Sequence, residues 1–111
     1  MLHIILVTAP KAEAPQLARR LLRERLIACA NLVPQVQSIF WWKGKLDSTR
    51  ETLLILKCPT RNVRRVLKRV RELHPYEVPE ILALPVTAAH RPYAQWVLRE
   101  TKGAQFISPR G

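Results

Sequence analysis

The chain is short of several things. Its 111 residues include only three glycines, two cysteines and eight carboxylates. No glycine-rich stretch follows a strand, which excludes the Walker and dinucleotide-binding patterns. Cys29 and Cys58 make neither a disulfide framework nor a C-x-x-C pair. Each falls in strand-like sequence, where a buried, inert thiol is expected. No apolar run approaches the roughly 18–20 residues of a membrane span. The opening MLHIILVTAP has no basic flank ahead of its short apolar run, so it is not read as a secretory signal. The expected location is the cytoplasm, with no membrane partner. His3, His74 and His90 are scattered, and none stands at metal-ligand spacing from a second His or Cys. No nucleophile–base pair can be named, so an enzyme is not expected.

What remains is apolar and basic. Hydrophobic residues make up 48%, which excludes a disordered chain, and the length suits a single domain over 1–111. Residues 2–8 read as a buried strand closed by Pro10. From Lys11 to Arg25 the apolar residues Ala14, Leu17, Ala18, Leu21 and Leu22 form one helical stripe, with Pro15 tolerated near its start. Ile27 to Trp42 reads as a long strand that must bend or bulge at Pro34. Gly44 marks a hairpin turn, with register freedom expected over Leu46 to Thr49. Arg50 to Cys58 forms the returning strand. A second helix runs from Pro59-Thr60 to the residue before Pro75. Val78 to Thr87 reads as a fourth strand, His90 to Lys102 as a third helix, and Ala104 to Ile107 as a strand stub. The order predicts an α+β fold. It is the ferredoxin-like βαββαβ sandwich, an antiparallel sheet with helices on one face and an added C-terminal helix.

Nineteen Lys+Arg against eight Asp+Glu give a net charge of +11. Most of these cations fall opposite the apolar stripes, including Arg61, Arg64, Arg65, Lys68, Arg69 and Arg71 on the second helix, as on a solvated face. The strands lack the stacking aromatics of an RNA-binding sheet, so no specific nucleic-acid partner is expected. The strands themselves are unusual. Ile4–Val7, Leu53–Leu56 and Ile81–Leu84 are apolar at every position, so both faces of the sheet are greasy. With the helices spent on one face, the other needs cover, and Phe40-Trp41-Trp42 adds to the exposed patch. The expectation is a homo-oligomer whose sheets pack on one another.

The densest polar segment is His74-Pro75-Tyr76-Glu77-Val78-Pro79-Glu80, a loop stiffened by two prolines. Histidine and carboxylates there suit a divalent ion. His74 also suits a helix C-terminus, where the dipole favours it. From this loop outward the chain resembles a known family. HPYEVPEILALPV (74–86), ACANLVP (28–34), IFWWKGK (39–45), LLILK (53–57) and VTAP (7–10) resemble, in order, the signatures of the CutA divalent-cation tolerance family. The resemblance implies a cytoplasmic homotrimer, similar in build to the PII nitrogen-regulatory proteins and linked to the response to metal ions. It fixes no cofactor, but implies modest binding of copper or another divalent cation. The family's copper site resembles a Cys at the end of the first strand plus two adjacent His before Pro-Tyr. Those positions here are Val7, Leu73 and His74, and only His74 matches. The alternative is a PII-like trimeric sensor that holds a small molecule or partner protein in its inter-subunit clefts. Tyr76, Glu77, Glu80 and Lys57 are the candidate ligand residues for that role.

Overall fold

Strand β1 (Leu2–Ala9), the first apolar run, lies inside a four-stranded antiparallel sheet. The computed structural model describes residues 1–103, so the strand stub expected over 104–107 lies outside the described residues. Helix α1 (Ala14–Arg23), β2 (Cys29–Trp42), β3 (Lys45–Pro59), α2 (Val63–Leu73), β4 (Ile81–Pro85) and α3 (Arg91–Glu100) follow. The sheet order is β2-β3-β1-β4, the split βαβ arrangement that the element order predicts. Ile5, Val7, Leu54, Leu56 and Cys58 point to one face. There they pack with Leu17, Ala18 and Leu21 of α1 and with Val66 and Val70 of α2 in one core.

The ends of the elements differ from expectation for local reasons. Helix α1 is shorter than 11–25, because residues 11–13 form a turn and Pro15 sits in the first helical turn. At its other end the chain lacks a glycine where one would serve. Arg25 takes the left-handed conformation instead (φ 60°). The Leu26 N–H then reaches back to the Leu21 carbonyl at 3.1 Å, a Schellman ending that drops Leu26 into the core. The hairpin is tighter than expected. Lys43 (φ 50°) and Gly44 (φ 78°) are both left-handed, the requirement of a two-residue type I′ turn. That turn pairs Trp42 with Lys45 and leaves no slack over Leu46–Thr49. The bend at Pro34 is a bulge: register shifts between Val33 and Val36, with Gln35 at φ 65°. Strand β4 is confined to Ile81–Pro85, shorter than 78–87.

Because β1 pairs only with residues 52–59 of β3, the remainder of the β2–β3 hairpin overhangs the sheet as a two-stranded ribbon. Trp41 is 72% exposed, Ile39 67% and Leu46 65% along it. The second sheet face carries Ile4, Leu6, Leu53, Ile55, Leu82 and Leu84 by register. Helix α3 does not join α1 and α2. Its Tyr93 meets Cys29, which shares the second face with Lys57, and its fully buried Val97 stands outside the main core. The one-face helix layer expected from sequence is therefore corrected: α3 covers one end of the second face and leaves Leu82 and Leu84 exposed.

The basic face of α2 is also not wholly solvated. Arg69 donates through Nε and Nη2 to Glu24 at 2.9 Å, and Arg20 Nε donates to the same carboxylate at 2.8 Å. Burial works to raise the Glu24 pKa. The hydrogen bonds from Arg69 and Arg20 outweigh it and hold the carboxyl below its ordinary 4.5. A lowered folded-state pKa gives stability that is full above 4.5 and is lost as pH falls through the folded value. Glu24→Gln should therefore cost about 1 kcal/mol at neutral pH. Urea melts of the variant and wild type should converge in acid; a gap that persists there would contradict this role for Glu24.

Candidate functional site

The loop of residues 74–80 is held by its first residue. His74 ends α2 with its N–H on the Val70 carbonyl and turns to extended backbone before Pro75. Its ring is buried. Nε2 donates to the Thr8 carbonyl at 2.7 Å, and Nδ1 accepts the Tyr76 N–H at 3.1 Å. Both nitrogens are thus engaged, one on β1 and one on the loop itself, and the partners fix the tautomer with the proton on Nε2. The Tyr76 ring lies 4.8 Å from the imidazole, and its O–H donates to Glu51 Oε2 at 2.8 Å. Three segments far apart in sequence are tied by this chain of contacts: the end of β1, the root of the ribbon and the loop.

Between loop and ribbon runs a groove of about 750 Å³. Ser38, Phe40 and Trp42 of β2 form one wall with their cross-strand partners Thr49 and Asp47, and Glu51 sits at the foot of the ribbon. Tyr76, Glu77, Val78 and Glu80 form the other wall. The bulge at Pro34–Gln35 sets which β2 residues share a side with Asp47, Thr49 and Glu51, because one extra residue switches the alternation. Four carboxylates, Asp47, Glu51, Glu77 and Glu80, line the groove, and among the described residues no Lys or Arg does. That is half of the eight carboxylates in a chain with nineteen cations.

The sequence candidates therefore separate. Tyr76, Glu77 and Glu80 come together on the groove, beside His74 as the latch of their loop. Lys57 does not join them. It lies six residues along β3 from Glu51, roughly 20 Å away at strand rise. There its ammonium hydrogen-bonds to Asn31 and stands 3.8 Å from Cys29 Sγ. Glu51, Asp47 and Trp42 went unnamed as candidates. The strong hairpin signal could have placed them on one ribbon, but only the fold brings that ribbon to the loop.

The residues at the family's copper positions do not fit a preformed metal centre. Val7 is fully buried in the core, Leu73 packs against it, and His74 has no unengaged nitrogen. Among the described residues, no three His, Cys, Asp or Glu side chains gather closely enough to hold an ion. Cys58 is no ligand either, since burial pushes its thiol up to about 12.

A family model described as the CutA1 divalent ion tolerance protein matches residues 3–100. The divalent-cation tolerance protein CutA of Thermus thermophilus is 43% identical over 104 residues, covering 93% of this chain and 100% of that protein. Human protein CutA is 43% identical over 97 residues. The match covers 86% of this chain but 54% of the human one, so the chain spans about half of that relative's length. The solved structure of the Thermus thermophilus protein superposes with a TM-score of 0.84 at 41% identity, covering 87% of this chain and 95% of the other. The PII-like protein CutA of Nostoc sp. PCC 7120, in apo form, superposes with 0.85 at 40% identity, covering 89% and 96%.

Burial, and then the hydrogen bond to Glu51 with its negative charge, push the Tyr76 phenol up to about 12. A raised folded-state pKa gives stability that is full below pH 10 and is lost as pH rises through about 12. Burial and the neighbouring Cys29 also raise Tyr93. Alkaline titration followed by ultraviolet absorbance should therefore show neither tyrosine ionising at its ordinary pH. In Glu51→Gln one phenol should move part of the way back toward 10, and an unmoved curve would contradict the Tyr76–Glu51 contact.

Proposed function

The chain belongs to the CutA1 divalent ion tolerance family, and we propose that it is a non-enzymatic homotrimer that binds cations in the groove between ribbon and loop. The segregation of charge supports this reading most directly. A protein with a net charge of +11 repels cations at long range, but about 8 Å of screening at physiological salt leaves local charges in control. Among the described residues, the charged groups that line the groove are Asp47, Glu51, Glu77 and Glu80.

The uncovered second face of the sheet and the overhanging ribbon favour self-association, and the family resemblance favours three copies. Divalent ions, copper among them, are held modestly, by open carboxylates rather than by a closed set of ligands. His74 contributes by fixing the loop; direct ligation by its ring requires release of Thr8 or of the Tyr76 N–H. The protein works in the cytoplasm, where its two free thiols are stable, and takes part in the response to metal ions. The PII-like sensor reading keeps its footing in one observation. A groove of about 750 Å³ with aromatic walls is the size of a small-molecule site, larger than an ion needs.

Calorimetric titration with zinc tests the cation reading. The wild type should bind weakly, and Glu77→Gln/Glu80→Gln should lose several-fold in affinity. His74→Ala should lose affinity as well, because the loop loses its anchor. Equal affinity in all three proteins would remove the groove from the account.

A further inference from the structure

Glu51 is only 5% exposed, yet among the described residues it has no ion-pair partner. Its Oε2 accepts the Tyr76 O–H, a neutral donor, and none of the ion pairs among the described residues includes it. A cation placed beside a buried carboxylate gains a strong charge-assisted contact. The buried carboxylate of Glu24, by contrast, is bracketed by two arginines. Glu51 lines the groove, so the missing partner has a route of entry.

The walls select the kind of cation. Hard divalent ions ask for six or more oxygen ligands in a shell, and the described residues contain no group able to supply one. Phe40, Trp42 and Tyr76 instead present aromatic rings to the same space. Ring faces attract ammonium groups and favour weakly hydrated organic cations over bare metal ions. Beside the groove, the Lys43 ammonium stands 5.9 Å from the centre of a Trp42 ring. We propose that the groove binds an organic ammonium compound of the diamine or polyamine class. One ammonium is seated on Glu51, the aliphatic chain lies along Phe40 and Trp42, and a second ammonium reaches Asp47, Glu77 or Glu80 at the rim. This rests on the groove being a cation site and names the ligand that fits it better than a metal ion.

The groove's volume agrees with the assignment, since it holds a chain of several carbons with ease and no single ion would fill it. Its length agrees too. Glu51 lies at the foot of the ribbon and Asp47 four residues along the same strand, roughly 13 Å away at strand rise, so a polyamine can span the space while a four-carbon diamine reaches only part of it from Glu51.

Calorimetric titration of the full chain with putrescine, at fixed ionic strength, tests the proposal, with butanediol as the uncharged analogue and zinc as the metal arm. Putrescine should bind and butanediol should not. Glu51→Gln should weaken putrescine by about tenfold, the loss expected when a charge-assisted contact is removed. Because Glu51 is buried, its variant is first checked by circular dichroism. Trp42→Leu, on the half-exposed ribbon, provides an independent arm: it should weaken putrescine several-fold and leave zinc unchanged. If zinc binds through the groove carboxylates and putrescine does not, this inference falls while the cation reading stands. If neither binds, both fall. Putrescine binding equal to that of butanediol, or unchanged in a folded Glu51→Gln and in Trp42→Leu, also overturns it.

Discussion

A β-sheet that is apolar on both faces must find two covers. Strand β1 and the inner half of β3 send Ile5, Val7, Leu54 and Leu56 toward α1 and α2. They send Ile4, Leu6, Leu53 and Ile55 the other way. The first set forms the core. Among the described residues the second set is covered by α3 at one end, and it runs out beneath the exposed Leu82 and Leu84 of β4. The ribbon shares the problem, because a two-stranded hairpin is marginal on its own in water. Its Ile39, Trp41 and Leu46 are open to solvent in the single chain. Of these residues Ile39 also lines the groove.

The site is built from the same constraint. The bulge at Pro34–Gln35 lets β2 continue beyond the sheet while turning its alternation, so that Ser38, Phe40 and Trp42 face the loop. His74 then spends its whole hydrogen-bonding capacity on architecture. One nitrogen binds β1, the other binds the loop, and the ring beside Tyr76 aims the phenol at Glu51. A histidine beside carboxylates reads as a ligand in sequence and serves as a clamp in the fold. The negative charge it helps to position is the exception on a strongly basic molecule. The basic residues are spread over helix faces, where Arg69 and Arg20 are partly consumed by Glu24.

Much of this was legible before the fold was known, and the rest was not for identifiable reasons. Element order, the core stripes of α1 and α2, the bend at Pro34 and the two-sided strands all follow from periodicity and proline, which act locally. The slack expected over Leu46–Thr49 vanished because Lys43 takes a left-handed conformation that few lysines adopt, and nothing local marks it. Helix α3 crossed to the second face because Tyr93 and Val97 fit the corner by Cys29, a tertiary choice. Tyr76, Glu77 and Glu80 were legible as neighbours because one stiff loop carries them, and they line one groove. Lys57 lies away from this groove, by Cys29 and Asn31, because sharing a sheet face says nothing of distance along it. The Tyr76–Glu51 pair, which spans 25 residues, depends on where the ribbon leaves the sheet, and only register decides that.

The central claim is that the second sheet face and the ribbon are covered by like chains. Sedimentation equilibrium at micromolar concentration tests it most directly. The account predicts a single species of three times the 12.8 kDa chain mass, unchanged on dilution through that range. A well-behaved particle of 12.8 kDa would contradict it.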